Sequence, residues 1–195
     1  MRFGTACSLL TAMMVMAATV QCVPASATEL YAGMTTQGAG TKVSLSQKGG
    51  TSTLWKDTTG VAQTTCSGAS MNGEITKAGG SSETVHIAYT SVEWIGCIHP
   101  MSVISNGELE IHHISGTTNG IATTKKTRIV FVSTLFGIKC TVNAGEGTAI
   151  GTVTGGEEAV LDLSGVITLE NGCGDSTLTG ALLWTSPKGL RVEPS

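Results

Sequence analysis

Residues 66–97 read CSGASMNGEITKAGGSSETVHIAYTSVEWIGC, and residues 140–173 read CTVNAGEGTAIGTVTGGEEAVLDLSGVITLENGC. Each stretch begins with a cysteine, passes through a Gly-Gly pair and an alternating apolar run, and closes on Gly-Cys. Because the two stretches share nearly the same length and the same order of features, we interpret them as an internal repeat of two related modules.

The first 27 residues are predicted to be a secretory signal peptide that is cleaved from the mature chain. Arg2 supplies the positive start, residues 9–20 are mostly apolar, and residues 25–27 are the small residues that signal peptidase needs. The apolar stretch is too short for a comfortable membrane span, and no second apolar run of spanning length follows. The mature protein is therefore expected to be secreted to the cell exterior or cell surface, with the periplasm as a transit or alternative compartment.

Processing as a lipoprotein at Cys22 is the rival interpretation of this leader. It is not favoured, because Gln21 precedes that cysteine where lipoprotein processing needs a small residue. Cys7 and Cys22 then leave with the leader, and the mature chain begins at Thr28.

The mature chain is sparsely charged and mildly acidic. The whole chain has 11 Lys and Arg against 14 Asp and Glu, a net charge of −3, and the loss of Arg2 with the leader makes it −4. An acidic surface argues against nucleic-acid binding, which needs a basic stripe. Charged residues are 13% of the chain, about half the usual share. This composition is typical of a β-rich extracellular protein.

Four cysteines remain after cleavage, and four cysteines allow three pairings. The pairs Cys66–Cys97 and Cys140–Cys173 are predicted, because each bridge then closes within one repeat. Each bridge is expected to stabilise the fold by roughly 3.7 kcal/mol, because it lowers the conformational entropy of the unfolded chain. A metal site or a redox centre is the alternative for such cysteines, but no Cys-x-x-Cys spacing supports either.

Turn-forming pairs divide the chain into short segments, and four of them are Asn-Gly, which best tolerates a type I′ hairpin turn. Turns are expected at Gly49-Gly50, Asn72-Gly73, Gly79-Gly80, Asn106-Gly107, Asn119-Gly120, Gly155-Gly156, Asn171-Gly172 and 187–189. Between them apolar residues alternate with period two, as at Leu109 and Ile111, and no mature segment shows helical periodicity. The sequence therefore predicts an all-β fold, a disulfide-linked sandwich or barrel that allows an arrangement as two related modules.

Three regions are expected: the signal peptide at 1–27, an amino-terminal strand segment at 28–48, and a β-rich domain at 49–195 that contains the repeat. The amino-terminal segment lies outside both disulfide loops, and its alternation changes phase around residues 38–40. Such a strand pairs within its own domain by default. The alternative is its addition to the sheet edge of a neighbouring copy, which would make a homo-oligomer or filament.

No catalytic, cofactor-binding or metal-ligating residue is predicted. His112 and His113 are neighbours on a strand, so their rings point to opposite faces and cannot easily chelate one ion. His113 is expected to be a hydrogen-bonded, half-buried residue. A site formed by His86, His99 and His112 in space stays open as an alternative, although no spacing supports it.

Glu108 and Glu110 share one strand face, which is weak support for a two-carboxylate glycosidase site. The three tryptophans are interpreted mainly as packing residues rather than as a carbohydrate platform. Trp184 is expected in the core, Trp94 in the core or at its rim, and Trp55 in a position that can be exposed.

The run of residues 109–120, LEIHHISGTTNG, resembles stretches in small secreted β-rich proteins of Gram-negative bacteria, and so does the tail at 184–187, WTSP. The signal peptide, the Thr-Cys opening at Cys66 and the Gly-Cys before Ile98 are similar to proteins described as alkane-oxidation activators. The resemblance implies an extracellular β protein without known catalytic residues. It further implies a role in helping cells to use or contact hydrophobic material.

Three functions are compatible with these features. The first is a secreted, non-enzymatic β protein at the cell surface or in extracellular matrix, which associates with itself through residues 28–47 or contacts an apolar or glycan surface. The second is a soluble binder of a small apolar or sugar ligand. The third is a hydrolase without a recognisable motif, in which Glu108, Glu110 or His113 would act.

Cleavage of the leader gives a direct prediction. Mass spectrometry of native material from outside the cytosol should find a chain that starts at Thr28 and carries its four cysteines in oxidised form. The variant Ala27→Trp should keep the leader, because signal peptidase does not accept a large residue at that position. An uncleaved cytosolic chain with free thiols at positions 66, 97, 140 and 173 would contradict the predicted export.

Overall fold

A computed structural model describes residues 28–80, 83–132, 137–145, 147–171 and 173–195. The predicted signal peptide, with Cys7 and Cys22, lies outside the described residues, as does Gly172 of the Asn171-Gly172 pair. No helix in the part of the chain that the structure describes is long and apolar enough for a membrane crossing.

The described residues form sixteen β-strands. In chain order they are β1 (Glu29–Ala32), β2 (Thr35–Thr36), β3 (Lys42–Gln47), β4 (Thr53–Asp57), β5 (Ala62–Lys77), β6 (Val85–Cys97), β7 (Met101–Ser105), β8 (Glu108–His113), β9 (Gly120–Lys125), β10 (Thr127–Val132), β11 (Lys139–Ala144), β12 (Thr148–Thr154), β13 (Val160–Leu163), β14 (Val166–Glu170), β15 (Gly174–Ser186) and β16 (Leu190–Glu193).

Thirteen of these strands belong to one antiparallel sheet that closes on itself. The closed ring of paired neighbours runs through β3, β5, β6, β8, β9, β12, β13 and β15, and β15 pairs again with β3. The predicted all-β, disulfide-linked fold is therefore confirmed, and of the two predicted architectures the structure has the barrel.

The other five strands of the sheet continue strands of the ring end to end. For example, β3 and β4 pair with successive parts of β5 on one side and of β15 on the other. We name the eight resulting barrel strands A to H: A is β3 with β4, B is β5, C is β6, D is β7 with β8, E is β9 with β10, F is β11 with β12, G is β13 with β14, and H is β15. Each lies beside its neighbours in the chain, which is the topology of an up-and-down barrel.

Apolar side chains of the barrel strands fill the interior. Leu109 and Ile111 are fully buried, whereas Glu108, Glu110 and His112 of the same strand lie on the outer face, as the sequence alternation predicts. An eight-stranded barrel is just wide enough for side chains to fill its interior or to enclose one small ligand. The barrel therefore contains the hydrophobic core.

The two repeats form two hairpins of this single barrel, B with C and F with G. Four strand positions separate them in a ring of eight, so they lie on opposite sides. Both predicted disulfides are present: Cys66–Cys97 joins register partners on B and C, and Cys140–Cys173 joins F to the residue before H. Two disulfides indicate an oxidising compartment, extracellular or periplasmic.

The amino-terminal segment pairs within the chain. β1 lies between β2 and β16 in a small antiparallel sheet, and β3 is the first half of barrel strand A. Hydrogen bonds from Val192 to Thr118 and from Gly156 to Leu190 hold the small sheet against the loops at one end of the barrel. Residues 28–47 thus include half of barrel strand A.

Two of the four Asn-Gly pairs do not form hairpins, so as hairpin predictions they are wrong. Gly49-Gly50 does form the predicted turn, in which the Thr51 N–H donates to the Lys48 carbonyl, but this turn does not join paired strands. Asn72-Gly73 lies inside β5 at a shift of register, and Gly49-Gly50 and Asn106-Gly107 separate strands that continue in the same direction. Gly107 has a φ of 73°. A bend within a strand can use positive φ, as a type I′ hairpin turn does, so the same residue types occur in both.

The crease at Gly107 gives a stability prediction. A β-carbon at Gly107 would overlap the carbonyl oxygen of Lys125 and the backbone nitrogen of Thr127, whereas Gly116, with a similar φ of 76°, has open space around it. Gly116→Ala should lower the free energy of unfolding by about 1–2 kcal/mol through backbone strain alone. Gly107→Ala should lower the free energy of unfolding by roughly 1–3 kcal/mol more than Gly116→Ala, because its β-carbon overlaps neighbouring backbone atoms. Urea unfolding of both variants checks this, and equal losses would contradict the tight crease.

Candidate functional site

Four polar side chains form a cluster on the outer face of barrel strands C, D and E, which we call the outer cluster: His86, Glu108, Glu110 and Lys125. The register brings them together, because His86 is the partner of Glu110 and Glu108 is the partner of Lys125. His86 Nδ1 lies 3.2 Å from Glu110 Oε1 and 3.8 Å from Glu108 Oε2. Lys125 Nζ lies 2.6 Å from Glu110 Oε1 and 3.1 Å from Glu108 Oε2.

The charges in the outer cluster stabilise one another. Partial burial tends to raise the pKa of Glu110, but the hydrogen bond from Lys125 and the charges of Lys125, His86 and His112 outweigh it and hold that pKa below its ordinary value. The hydrogen bonds to Glu110 and Glu108 likewise raise the pKa of Lys125. The cluster therefore joins three strands most firmly when Glu110 is ionised and Lys125 is protonated.

The outer cluster has donor atoms for a metal ion but already contains its own cation. One ligand atom each from His86, Glu108 and Glu110 lies within 4.8 Å of the others. Lys125 contacts both carboxylates, so a metal ion would have to displace its ammonium group. Thr84 also forms a hydrogen bond of 2.9 Å with His86 Nε2. We therefore interpret the cluster as an ion network between strands, and the two glutamates lie outside the barrel interior.

His113 matches its predicted role as a hydrogen-bonded, half-buried residue. Its Nε2 lies 2.7 Å from the carbonyl oxygen of Thr117, and its backbone N–H donates to Thr28 Oγ1 at 2.9 Å. The structure brings His86 together with Glu108 and Glu110, a combination that the sequence analysis did not consider.

A small cavity of about 40 Å³ lies in the middle of the barrel and is the second candidate site. Its walls are aromatic and aliphatic, with two threonines. The lining residues are Trp55, Met71, Tyr89, Val92, Trp94, Thr124, Thr127, Ile129, Val142, Ala144, Ile150, Leu163, Ile167 and Leu178. Among these, Trp94 alone is not fully buried.

Two tryptophans pack against each other at this interior cavity. Trp55 is only 1% exposed, so the expectation that it can be exposed is wrong. It meets Trp94 edge-on with 6.0 Å between ring centroids, and it meets Phe131 at 5.9 Å. Because β4 continues β3 as one barrel strand, Trp55 falls on the inward face. Trp94 lies at the rim and Trp184 in the core, as predicted.

Three residues that line the cavity each have a buried polar atom without a hydrogen-bond partner among the described residues, namely Trp55 Nε1, Tyr89 Oη and Trp94 Nε1, although the surface of the cavity itself is almost entirely apolar. Each carries a hydrogen that it can donate. Burial raises the pKa of the Tyr89 phenol, so this group stays protonated. Buried polar groups normally have partners, so three unpaired donors at one cavity form an unusual feature.

A gap in the barrel wall, which we call the seam, lies between residues 91–97 of β6 and β7. The ladder between C and D ends where the Tyr89 N–H donates to the Gly107 carbonyl at 3.1 Å and the Asn106 side chain to the Thr90 carbonyl at 3.0 Å. Beyond this point no ladder joins β6 to β7 within the described residues, and β7 pairs only with β10. The seam thus has an open strand edge.

Apolar side chains border the seam on its outer side. Ile95, Ile98 and Ile104 belong to β6, β7 and the turn between them, and each is more than half exposed, from 52% to 66%. On the inner side, Met101 and Val103 of β7 are half-buried and pack against the core together with Trp94. The seam therefore combines an unpaired edge with exposed hydrophobic surface.

Among the described residues, the fold and these sites define a disulfide-linked, all-β barrel with an apolar interior, an open seam and an ion cluster on its outer face. Neither a protein-family model, a curated protein nor a solved structure matches this chain. The resemblance to alkane-oxidation activators therefore stays a prediction.

The lowered pKa of Glu110 gives a prediction about pH. A group whose pKa is lower in the folded state stabilises the fold above its unfolded pKa, and this stabilisation is lost as the pH falls through the folded pKa. Glu110→Gln should therefore lower the free energy of unfolding by about 1 kcal/mol at pH 6. The cost should shrink as the pH falls below the ordinary glutamate range.

Urea unfolding of the wild type and the variant at several pH values between 6 and 3 measures this difference. The matched control is Glu157→Gln, because Glu157 lies exposed in the loop between β12 and β13. A cost that stays constant with pH would show that the Glu110 charge is not what stabilises the fold.

Proposed function

We propose that this protein is a secreted, non-enzymatic β protein that acts outside the cytosol by associating with further copies of itself at the seam. The observation that carries the proposal is the open edge of β7 in an otherwise closed barrel. A strand edge presents a row of unpaired N–H and C=O groups, which is a template for pairing with another strand. Burial of Ile95, Ile98 and Ile104 would add an apolar contribution to that pairing.

The composition of the edge favours a second copy as the partner. β7 reads MSVIS and has neither a charged residue nor a proline, the two devices with which natural edge strands avoid pairing with one another. Two identical uncharged edges can meet antiparallel about a two-fold axis without repulsion between like charges. Glu93 is the one charged residue on the facing part of β6.

The seam replaces the amino-terminal segment as the proposed association surface. β1 already pairs with β2 and β16, and β3 pairs with β5 and β15, so these strands have neighbours in their own chain. Removal of residues 28–47 would delete half of a barrel strand, and its effect on assembly would not be separable from unfolding.

Export and the absence of catalysis are parts of the same proposal. Two disulfides support an oxidising compartment. Glu108 and Glu110, the carboxylates that a glycosidase would need, are engaged with Lys125 on the outer face rather than in the interior cavity. An association role at the cell surface or in extracellular matrix is consistent with these features.

The test compares two lysine substitutions in oxidised mature protein. Ile104→Lys places a charge at the seam, and Ile121→Lys places one at an exposed isoleucine of β9, outside the seam. Wild type and Ile121→Lys should form dimers or larger assemblies, and Ile104→Lys should need at least tenfold higher concentration to do so, since a buried unpaired charge opposes association.

Light scattering after size-exclusion chromatography, together with negative-stain microscopy, measures the assemblies. Circular dichroism of both variants verifies that the barrel is intact. Monomeric wild type at high concentration, or equal weakening by the two variants, would contradict association at the seam.

A further inference from the structure

We infer that one end of the barrel, which we call the apolar end, binds to the surface of a zwitterionic lipid bilayer. The apolar end consists of the described residues of four connections: A to B (58–61), C to D (98–100), E to F (137–138) and G to H (171 and 173). Because neighbouring strands run antiparallel, alternate connections lie at the same end of the barrel. The inference does not rest on association at the seam, since its test uses residues outside the seam.

Aliphatic side chains project into solvent from three of these connections. Val61, Ile98 and Ile138 are 46%, 66% and 39% exposed, and Val132, the last residue of β10, is 41% exposed. Exposed aliphatic residues that are scattered singly over a surface are normal, whereas a group at one place marks an interaction site. These four side chains belong to one end of the fold, so the apolar end is such a group.

Charged residues have the opposite distribution. Among the described residues of the four connections at the apolar end there is no Asp, Glu, Lys or Arg. The connections at the other end carry exposed Glu83, Glu157, Glu158 and Lys188, and the small sheet of β1, β2 and β16 packs against that end. The barrel therefore presents one uncharged, apolar end and one charged, covered end, which fits contact with an apolar phase through the first of them.

The charges next to the apolar end indicate the kind of surface. Five charged residues lie at or beside the strand ends that lead into the four connections, namely Lys56, Asp57, Lys139, Glu170 and Asp175. None of them forms an ion pair with another described residue. Two cations beside three anions give no excess of positive charge to attract an anionic lipid. Free charges of both signs are complementary to headgroups that carry both a phosphate and an ammonium group.

A fluid surface suits the apolar end better than a second copy of the chain. Val61, Ile98 and Ile138 stand on three separate connections, and a connection offers no strand edge for pairing of the kind that β7 presents. Separate side chains can each enter the interface of a bilayer without a complementary protein surface. Binding of this kind is driven by the apolar area that leaves water.

Flotation with phosphatidylcholine vesicles tests the inference on the oxidised mature protein. Wild type should bind these vesicles in a saturable manner, because the exposed aliphatic side chains leave water on binding. Added salt should not weaken the binding. Partial replacement of phosphatidylcholine by anionic phosphatidylglycerol should not strengthen it, because the apolar end has no excess of positive charge.

The variant Val61→Ser/Ile138→Ser removes two aliphatic side chains of the apolar end and should weaken vesicle binding by about tenfold or more. The matched control Met34→Ser/Ile121→Ser also removes two exposed apolar side chains. Met34 is 98% exposed in the turn between β1 and β2 at the covered end, and Ile121 lies on the outer face of β9. The control should bind like wild type, and circular dichroism verifies that both double variants are folded.

Absence of binding to phosphatidylcholine vesicles, or equal weakening by the two double variants, would overturn the inference. A preference for anionic vesicles that disappears at high salt would overturn the zwitterionic surface. Dissociation of assemblies by Val61→Ser/Ile138→Ser without vesicles would show that this end is a contact between copies, and the inference would again be wrong. The seam variant Ile104→Lys should bind vesicles like wild type, so failure of the seam proposal and failure of this inference are distinguishable.

Discussion

Closure of the sheet between the first and last barrel strands is the constraint on which the rest of the structure depends. H pairs with both halves of A on one side and with both halves of G on the other. At this junction Trp184 is the register partner of Leu45, and both are fully buried. Without the junction the sheet would have two further open edges, and these interior side chains would face water.

Closure also explains why several strands are creased. Long strands of a small barrel must bend and twist, and bulges with positive φ provide this bend locally. Gly107 and Lys126, with φ of 73° and 58°, mark the creases in the neighbouring strands D and E. The interior cavity lies at the same level, since Tyr89, Thr124 and Thr127 are next to these creases and also line it.

The fold class and the cysteine pairs were predictable because they depend on local patterns. Alternation at Leu109 and Ile111 defines the inward face, and bridges that close inside each repeat require no knowledge of the other strands. The role of Asn106-Gly107 was not predictable, because a glycine with positive φ, such as Gly107, serves both in hairpin turns and in bends within a strand. A hairpin turn forms where the next segment reverses and pairs with the preceding strand, and a bend forms where the next segment continues in the same direction.

The sites depend on register and closure, and the sequence alone does not provide either. His86 meets Glu110 because C and D pair in one particular register, and the two residues are 24 positions apart. Trp55 becomes an interior residue because β4 continues the strand begun by β3 across Gly49-Gly50. The sequence identifies the charged residues and the tryptophans as candidate site residues. Which residues they contact is known only from the pairing of the strands in the structure.

The Cys66–Cys97 bridge has a consequence for the wall beside the seam. Within the described residues, residues 91–97 of β6 have a ladder only with β5, and the bridge joins the register partners at the end of that ladder. The covalent link therefore anchors this part of the wall where backbone pairing on the other side is missing. Reduction of the bridge would loosen this corner of the barrel ahead of strands that have neighbours on both sides.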